Sequence, residues 1–123
     1  MIEIEANNVR DIRRVREDVR NALEGNDHDR PHAADVSAVV HELLVAAFEL
    51  HTAGPVVVRI ENFSLLTSVR LQCSSRLDLR DSQFDLRERV LTALTIAFGT
   101  RVTADGGTEL WAEVPRAARI TTS

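Results

Sequence analysis

A wide apolar helix predicted in the middle of the chain constrains the fold more than any other feature. Apolar residues recur at helical spacing between Val36 and Leu50, and their breadth indicates a helix that is buried on more than one side. Pro31 suits the first turn of this helix, and Gly54-Pro55 predicts that it ends near His51. The apolar stripe consists of Val36, Val39, Val40, Leu43, Leu44, Ala47 and Leu50.

A strand and a helix are predicted before it. Ile2, Ile4 and Ala6 alternate with acidic residues, which favours a short edge strand. Either Asn7 or Asn8 can cap a helix that runs to about Leu23 and ends at Gly25-Asn26, because a short amide accepts from the open N–H groups of a first turn. The apolar stripe predicted for this helix is Val9, Ile12, Val15 (or Arg16), Val19 and Leu23.

The second half predicts two hairpins separated by a helix. Residues 56–61 and 67–73 indicate strands joined by a short turn, and residues 74–83 indicate a loop. A helix from Phe84 to Phe98 is closed by Gly99, and Asp105-Gly106-Gly107 predicts the turn of the last hairpin. The buried side predicted for this helix is Phe84, Leu86, Val90, Leu91, Leu94, Ala97 and Phe98.

The order β-α-α-β-β-α-β-β predicts an α+β fold: a two-layer sandwich of a mixed or antiparallel sheet with helices on one face. We expect a single domain over residues 1–115 and a frayed tail over residues 116–123. The 44% hydrophobic content supports a packed core.

Composition limits the classes of function. The net charge of −4 offers no basic footprint for nucleic acid, and no apolar run could cross a membrane. The acidic start is unlike a signal peptide, and a single cysteine excludes an internal disulfide. These features predict a soluble, cytoplasmic protein. All fifteen basic residues are arginine; those of the first helix alternate with acids and indicate a solvated face.

The residues offer no self-contained catalytic set. His41 and His51 are three turns apart on one predicted helix, too far to share a metal. His28 and His32 stand among aspartates in a segment that fits a polar loop better than a metal site. Cys73 indicates a small buried side chain, and every glycine has a turn or cap explanation. We therefore expect no metal.

The segment from Glu42 to His51 resembles the helix of the GHKL (histidine-kinase-like) ATPase superfamily, and especially that of the bacterial anti-sigma-factor serine kinases. The strand pair that follows is similar to the family's too, as is the closing hairpin with Trp111. The resemblance covers most of the chain and implies the histidine-kinase-type (Bergerat-like) ATPase fold.

The resemblance also implies a degenerate nucleotide site. Glu42 matches the family's polarising glutamate, but Ala46 replaces the asparagine that holds Mg²⁺, and a methyl group cannot bind a hard cation. The family's Asp-x-Gly-x-Gly box, which contacts adenine, corresponds to Cys73, Ser75 and Leu77.

The phosphate-binding glycines are missing as well. Their box would fall near residues 85–87, where Asp85 would repel phosphate. The stretch from Cys73 to Phe98 contains no glycine, although close backbone approach to phosphate needs one. We therefore expect no ATP or other cofactor, and only a vestigial pocket at Glu42, Ala46, Cys73 and Ser75.

These features predict a pseudoenzyme that acts by protein–protein interaction in sigma-factor partner switching or other signalling. Partners implied by the resemblance are a sigma factor, an anti-anti-sigma-like protein or a second copy of the chain. Candidate surfaces are the arginine-rich first helix and the last hairpin, where Trp111 shares a face with Glu109 and Glu113. Trp111 could equally cover a helix or the first strand.

Two alternatives stay open. One is a divergent ATP-binding serine kinase or ATPase. The other is a small-ligand sensor whose apolar pocket is lined by Ala46, Ala47, Val69, Leu71 and Cys73.

Overall fold

A computed structural model describes residues 1–25, 30–50, 54–77 and 84–116, with side chains omitted for residues 84–87. His28, His51 and the tail beyond Arg116 lie outside the described residues. The strands are β1 (Ile2–Ala6), β2 (Val56–Asn62), β3 (Leu66–Cys73), β4 (Ala97–Val102) and β5 (Thr108–Pro115). The helices are α1 (Ile12–Glu24), α2 (Arg30–Glu49) and α3 (Phe84–Leu94), and a 3₁₀ turn (Val9–Asp11) precedes α1.

The described strands form one five-stranded sheet in the order β1-β2-β3-β5-β4, and every neighbouring pair is antiparallel. Strand residues that face the helices, such as Val58, Leu71 and Leu110, are buried in one hydrophobic core with residues of all three helices. The coarse prediction of an α+β sandwich with helices on one face is therefore confirmed, and of the two sheet types the antiparallel one is present. None of the described helices is long and apolar enough to cross a membrane.

The central helix α2 packs on the middle strands of the sheet with α1 and α3 on either side of it, so it is buried on more than one side, as its wide apolar stripe predicts. It contacts α1 and α3 as well as β2, β3 and β5. Every stripe residue from Val36 to Ala47 is buried, and Leu50 is half-buried just beyond the helix end.

The first helix differs from its prediction at its start. The Asn8 side chain accepts a hydrogen bond from the Arg10 N–H, so Asn8 is the cap, but it caps a 3₁₀ turn rather than α1 itself. Val9 lies in that turn and is exposed, so its place in the buried stripe was wrong. Val15, not Arg16, is buried in the next turn.

The third helix ends earlier than its periodicity predicts. The Thr95 hydroxyl donates to the Leu91 carbonyl at 2.6 Å and closes α3, and the Ile96 N–H already donates to Glu113 on β5. Ala97 and Phe98, which were predicted on the helix, belong to β4, as does Gly99. Strand pairing with β5 outweighs the local helical spacing here.

Of the remaining side chains predicted to be buried on this helix, Leu91 is buried, Leu94 is half-buried and Val90 is exposed. The side chains of Phe84 and Leu86 lie outside the described residues.

The last hairpin turns where the glycines predict. Gly106 has φ = 86°, and its N–H donates to the Thr103 carbonyl. Thr103 in turn donates its N–H to Gly107, which completes a three-residue loop with a glycine bulge. Gly107 packs so closely on β3 that a Cβ there would lie 2.3 Å from the Cys73 carbonyl oxygen.

Candidate functional site

Two of the three positions that the resemblance assigns to the adenine box are occupied by core residues. Cys73 ends β3, is 3% exposed and lies in the main hydrophobic core with Leu77. The Leu77 N–H donates to the Thr108 hydroxyl at 3.0 Å, so the segment after β3 is tied to β5. Ser75, between them, is half-buried.

On the helix that carries the resemblance, the two matching positions differ in exposure. Ala46 is 2% exposed, while Glu42, one turn earlier on α2, is half-buried. Asp85 and its neighbours 86–87 lie in the first turn of α3, and their side chains lie outside the described residues.

The apolar set predicted for a ligand pocket is packed in the interior. Ala47, Val69, Leu71 and Cys73 are all members of the hydrophobic core. An open recess of about 480 Å³ lies elsewhere, where β2, β3 and the β4–β5 turn meet. Of the predicted set, only Cys73 borders this recess; Val57, Gln72 and Asp105 line it too.

Asp105, which lines this recess, is held by two hydrogen bonds from its own turn. The Thr103 hydroxyl donates to its carboxylate, and the Gly107 N–H donates to the same oxygen at 3.3 Å. Both hydrogen bonds favour the ionised form, and they hold the pKa of Asp105 below its ordinary value of 3.8. This network shapes the turn and provides no nucleophile.

His32 was predicted in a polar loop, but it is buried in the first turn of α2 and has a structural partner that sequence reasoning missed. Its Nε2 lies 2.8 Å from the Thr67 hydroxyl, which donates to the Asn62 side-chain oxygen at 2.9 Å. The Thr67 hydroxyl donates its only proton to Asn62, so toward His32 its oxygen can only accept. Nε2 of His32 therefore carries a proton and donates it to Thr67. No local pattern could reveal a contact between residues 35 positions apart. Within the described ranges, no group of three or more His, Cys, Asp or Glu side chains could hold a metal.

The arginines of α1 are largely paired with acids on the same helix. Arg13 contacts Glu17, Arg14 contacts Asp18, and both pairs are solvent-exposed. This arrangement matches the solvated face predicted for α1. A groove of about 220 Å³ between Arg13, Arg16, Arg20, Glu17 and Ser37 runs beside it.

The sheet face turned away from the helices has a distinct polar surface, which we call the outer face. Strand register places its residues in three rows across the sheet. The middle row is Glu3, Arg59, Arg70, Trp111 and Gly99; the rows beside it are Glu5, Val57, Gln72, Glu109 and Arg101, and Glu61, Ser68, Glu113 and Ala97.

Ion pairs hold both ends of the outer face. Arg59 contacts Glu3 at 2.9 Å near the β1 border, and Arg101 contacts Glu109 near the β4 border. Arg70, in the centre, is exposed, and no acidic side chain of the described residues lies within ion-pair distance of it. A recess of about 70 Å³ lies beside it. No pattern within a single strand could show that Arg70 lies at the centre of this face.

Trp111 lies on the outer face with Glu109 and Glu113, as alternation predicts, and it covers neither a helix nor β1. Its indole packs over Gly99 of β4: a Cβ at Gly99 would lie 2.9 Å from the ring. Trp111 is half-buried and lies directly across the strand pair from Arg70. The centre of the outer face thus combines an aromatic ring with a cation that has no acidic partner among the described residues.

Neither a scan against protein-family models nor a search of curated proteins returned a match to this chain.

Proposed function

We propose that this protein is a non-catalytic regulatory module that acts by binding another protein through the outer face of its sheet. The observation that carries this proposal is the pair of Arg70 and Trp111 at the centre of that face. Aromatic and arginine side chains are the residue types that most often anchor protein interfaces. No described helix covers them.

The loss of nucleotide chemistry supports the same function. Ala46 and Cys73, which the resemblance matches to positions that contact Mg²⁺ and adenine, are almost fully buried. Neither can supply the oxygen ligand or the carboxylate that those contacts need. The module therefore binds its partner without conventional ATP binding.

The chemistry of the face defines the partner. Arg70 requires a carboxylate, because a cation left unpaired in a buried interface is costly. Trp111 requires an apolar contact beside that carboxylate. The resemblance to anti-sigma-factor serine kinases suggests the class of partner, a sigma factor or an anti-anti-sigma-like protein. The same resemblance supports the proposal that the α+β sandwich is of the Bergerat-like type.

The experiment is affinity capture from native cells, followed by titration of the purified partner against two charge reversals. Arg70→Glu lies at the centre of the outer face; Arg13→Glu, on α1, is the matched control and its arginine is 89% exposed. We expect Arg70→Glu to weaken binding at least tenfold, about 1.4 kcal/mol, and Arg13→Glu to leave it unchanged. Loss with Arg13→Glu alone would transfer the interface to α1, and binding unaffected by Arg70→Glu would refute the proposal.

A further inference from the structure

The border strand β4 has main-chain groups that point away from the sheet. Thr103 donates its N–H to Gly107, and Arg116 donates its N–H to Leu65 at the other end of β5. In an antiparallel pair the residues that bond to a neighbour alternate with those that do not. Both bonds show that the odd-numbered residues of β5 direct their N–H and C=O groups toward β4. Their partners on β4 are odd-numbered as well, so Phe98, Thr100 and Val102 direct their own N–H and C=O groups outward.

The two borders of the sheet are protected differently. On β1, Glu3 and Glu5 place charges along the strand, and the Arg14 side chain donates to the Glu5 carbonyl at 3.0 Å. Charged residues of this kind discourage pairing with another chain. The β4 border instead presents apolar side chains: Val102 is 56% exposed, and Ile96, just before the strand, is 61% exposed. Among the described strands, only β5 pairs with β4.

We propose that β4 pairs with β4 of a second copy of this chain, antiparallel, about a two-fold axis at Thr100. This register sets Thr100 opposite its own copy, and Phe98 opposite Val102 in both directions. These are the residues with outward main-chain groups, so all three facing pairs can exchange N–H···O bonds. The two sheets then become one continuous sheet.

The side chains on the helix side match in this register. Phe98 of one copy meets Val102 of the other, and an aromatic residue opposite a β-branched one is a favourable cross-strand pair. The exposed Val102 is covered by this contact, and α3 of each copy lies on the same side of the joined sheet. Val90 of α3, 38% exposed, is then close to the new seam.

The outer face gives the register a second, independent match. Arg101 of one copy lies opposite Gly99 of the other, with Cα atoms about 4.5 Å apart in a pair that is not hydrogen-bonded. Gly99 has no side chain, and the Trp111 indole fills the space above it. In the dimer the guanidinium leaves Glu109, which lies on β5 of its own copy, and turns across the seam to lie over the ring, a cation–π contact. Glycine within a strand often marks such a close approach.

Sedimentation velocity from micromolar to millimolar protein tests the pairing. We expect a reversible dimer that Thr100→Pro abolishes, since proline removes an outward N–H without touching a bond to β5, and the preceding Gly99 tolerates it. A second variant is needed in case Thr100→Pro does not fold. Val102→Lys should weaken the dimer, whereas Val9→Lys, at another exposed valine, should not. A monomer at every concentration would overturn the proposal, as would a dimer unaffected by Val102→Lys.

Fluorescence locates the contact, because Trp111 is the sole tryptophan. We expect its emission to change on dilution through the dimer transition. Arg101→Ala should remove that change and weaken the dimer, whereas Arg59→Ala, another ion-paired arginine on the outer face, should do neither. A dimer whose assembly leaves the emission constant would place the seam away from β4 and refute the proposed pairing.

Discussion

Replacing Gly107 with alanine should be the most destabilising single-methyl addition in the last hairpin. The new Cβ would lie 2.3 Å from the Cys73 carbonyl oxygen, about 1 Å inside an ordinary C···O contact of about 3.3 Å. The main chain on either side of this contact is fixed by strand pairing, because Cys73 lies opposite Thr108, the residue after Gly107, in the β3–β5 register. Overpacking of this kind costs about 1–3 kcal/mol, and fixed backbone on both sides places Gly107→Ala near the upper limit.

Gly106→Ala is the matched control one residue away. Its Cβ would meet no atom within 4 Å, but the residue has φ = 86°, which costs a side chain about 1–2 kcal/mol. Both substitutions restrict the unfolded chain equally, so that contribution cancels in the comparison. Urea unfolding followed by Trp111 fluorescence gives both free energies. Gly107→Ala as stable as Gly106→Ala would refute the close approach of the turn to β3.

Three further predictions concern the interior and the turn. Ala46→Asn introduces an amide where the GHKL family has one, but it should not create ATP binding. Because Ala46 is buried, the larger side chain should lower the free energy of unfolding, measured in urea, by about 1–3 kcal/mol. Thr67→Val removes the acceptor of the buried His32 N–H and should cost about 1–3 kcal/mol in the same assay, whereas Thr67→Ser should cost less. The pKa of Asp105 is lower in the folded state than in the unfolded chain. The ionised Asp105 therefore stabilises the fold fully above pH 3.8, and this stabilisation is lost as pH falls through the folded pKa. NMR titration should show that Thr103→Val raises the pKa of Asp105 toward its ordinary value.

The coarse fold was predictable because strong local patterns agree with it. The wide stripe of α2 indicated a helix covered on several sides, and Asp105-Gly106-Gly107 indicated the turn of the last hairpin. Each of these signals arises within a single element. Alternation likewise placed Trp111 on one face with Glu109 and Glu113, but it left open whether that face is covered.

The border between α3 and β4 was not predictable from spacing alone. Leu91, Leu94 and Phe98 continue a helical pattern, although Phe98 belongs to a strand. What ends the helix is partly local, the Thr95 hydroxyl on the Leu91 carbonyl, and partly tertiary, the pairing with β5. The β-branched pair Thr95-Ile96 is the signal in the sequence that could have shown it.

The outer face needed the structure because its meaning depends on which strands are neighbours. Arg70 and Trp111 are far apart in sequence, and they meet only because β5 lies beside β3. Likewise, the sequence predicted Gly99 as the end of a helix. In the structure Gly99 lies in β4, directly beneath the Trp111 indole.

The proposal that this chain does not bind nucleotide is tested most directly by thermal unfolding with and without millimolar Mg-ATP. We expect the same unfolding midpoint in both conditions, with buffered Mg²⁺ alone as the control. A nucleotide present at one hundred times its dissociation constant would add about 2.7 kcal/mol to the free energy of unfolding. A rise in midpoint with Mg-ATP that Glu42→Gln abolishes would contradict the account, because it would assign a working nucleotide site to α2.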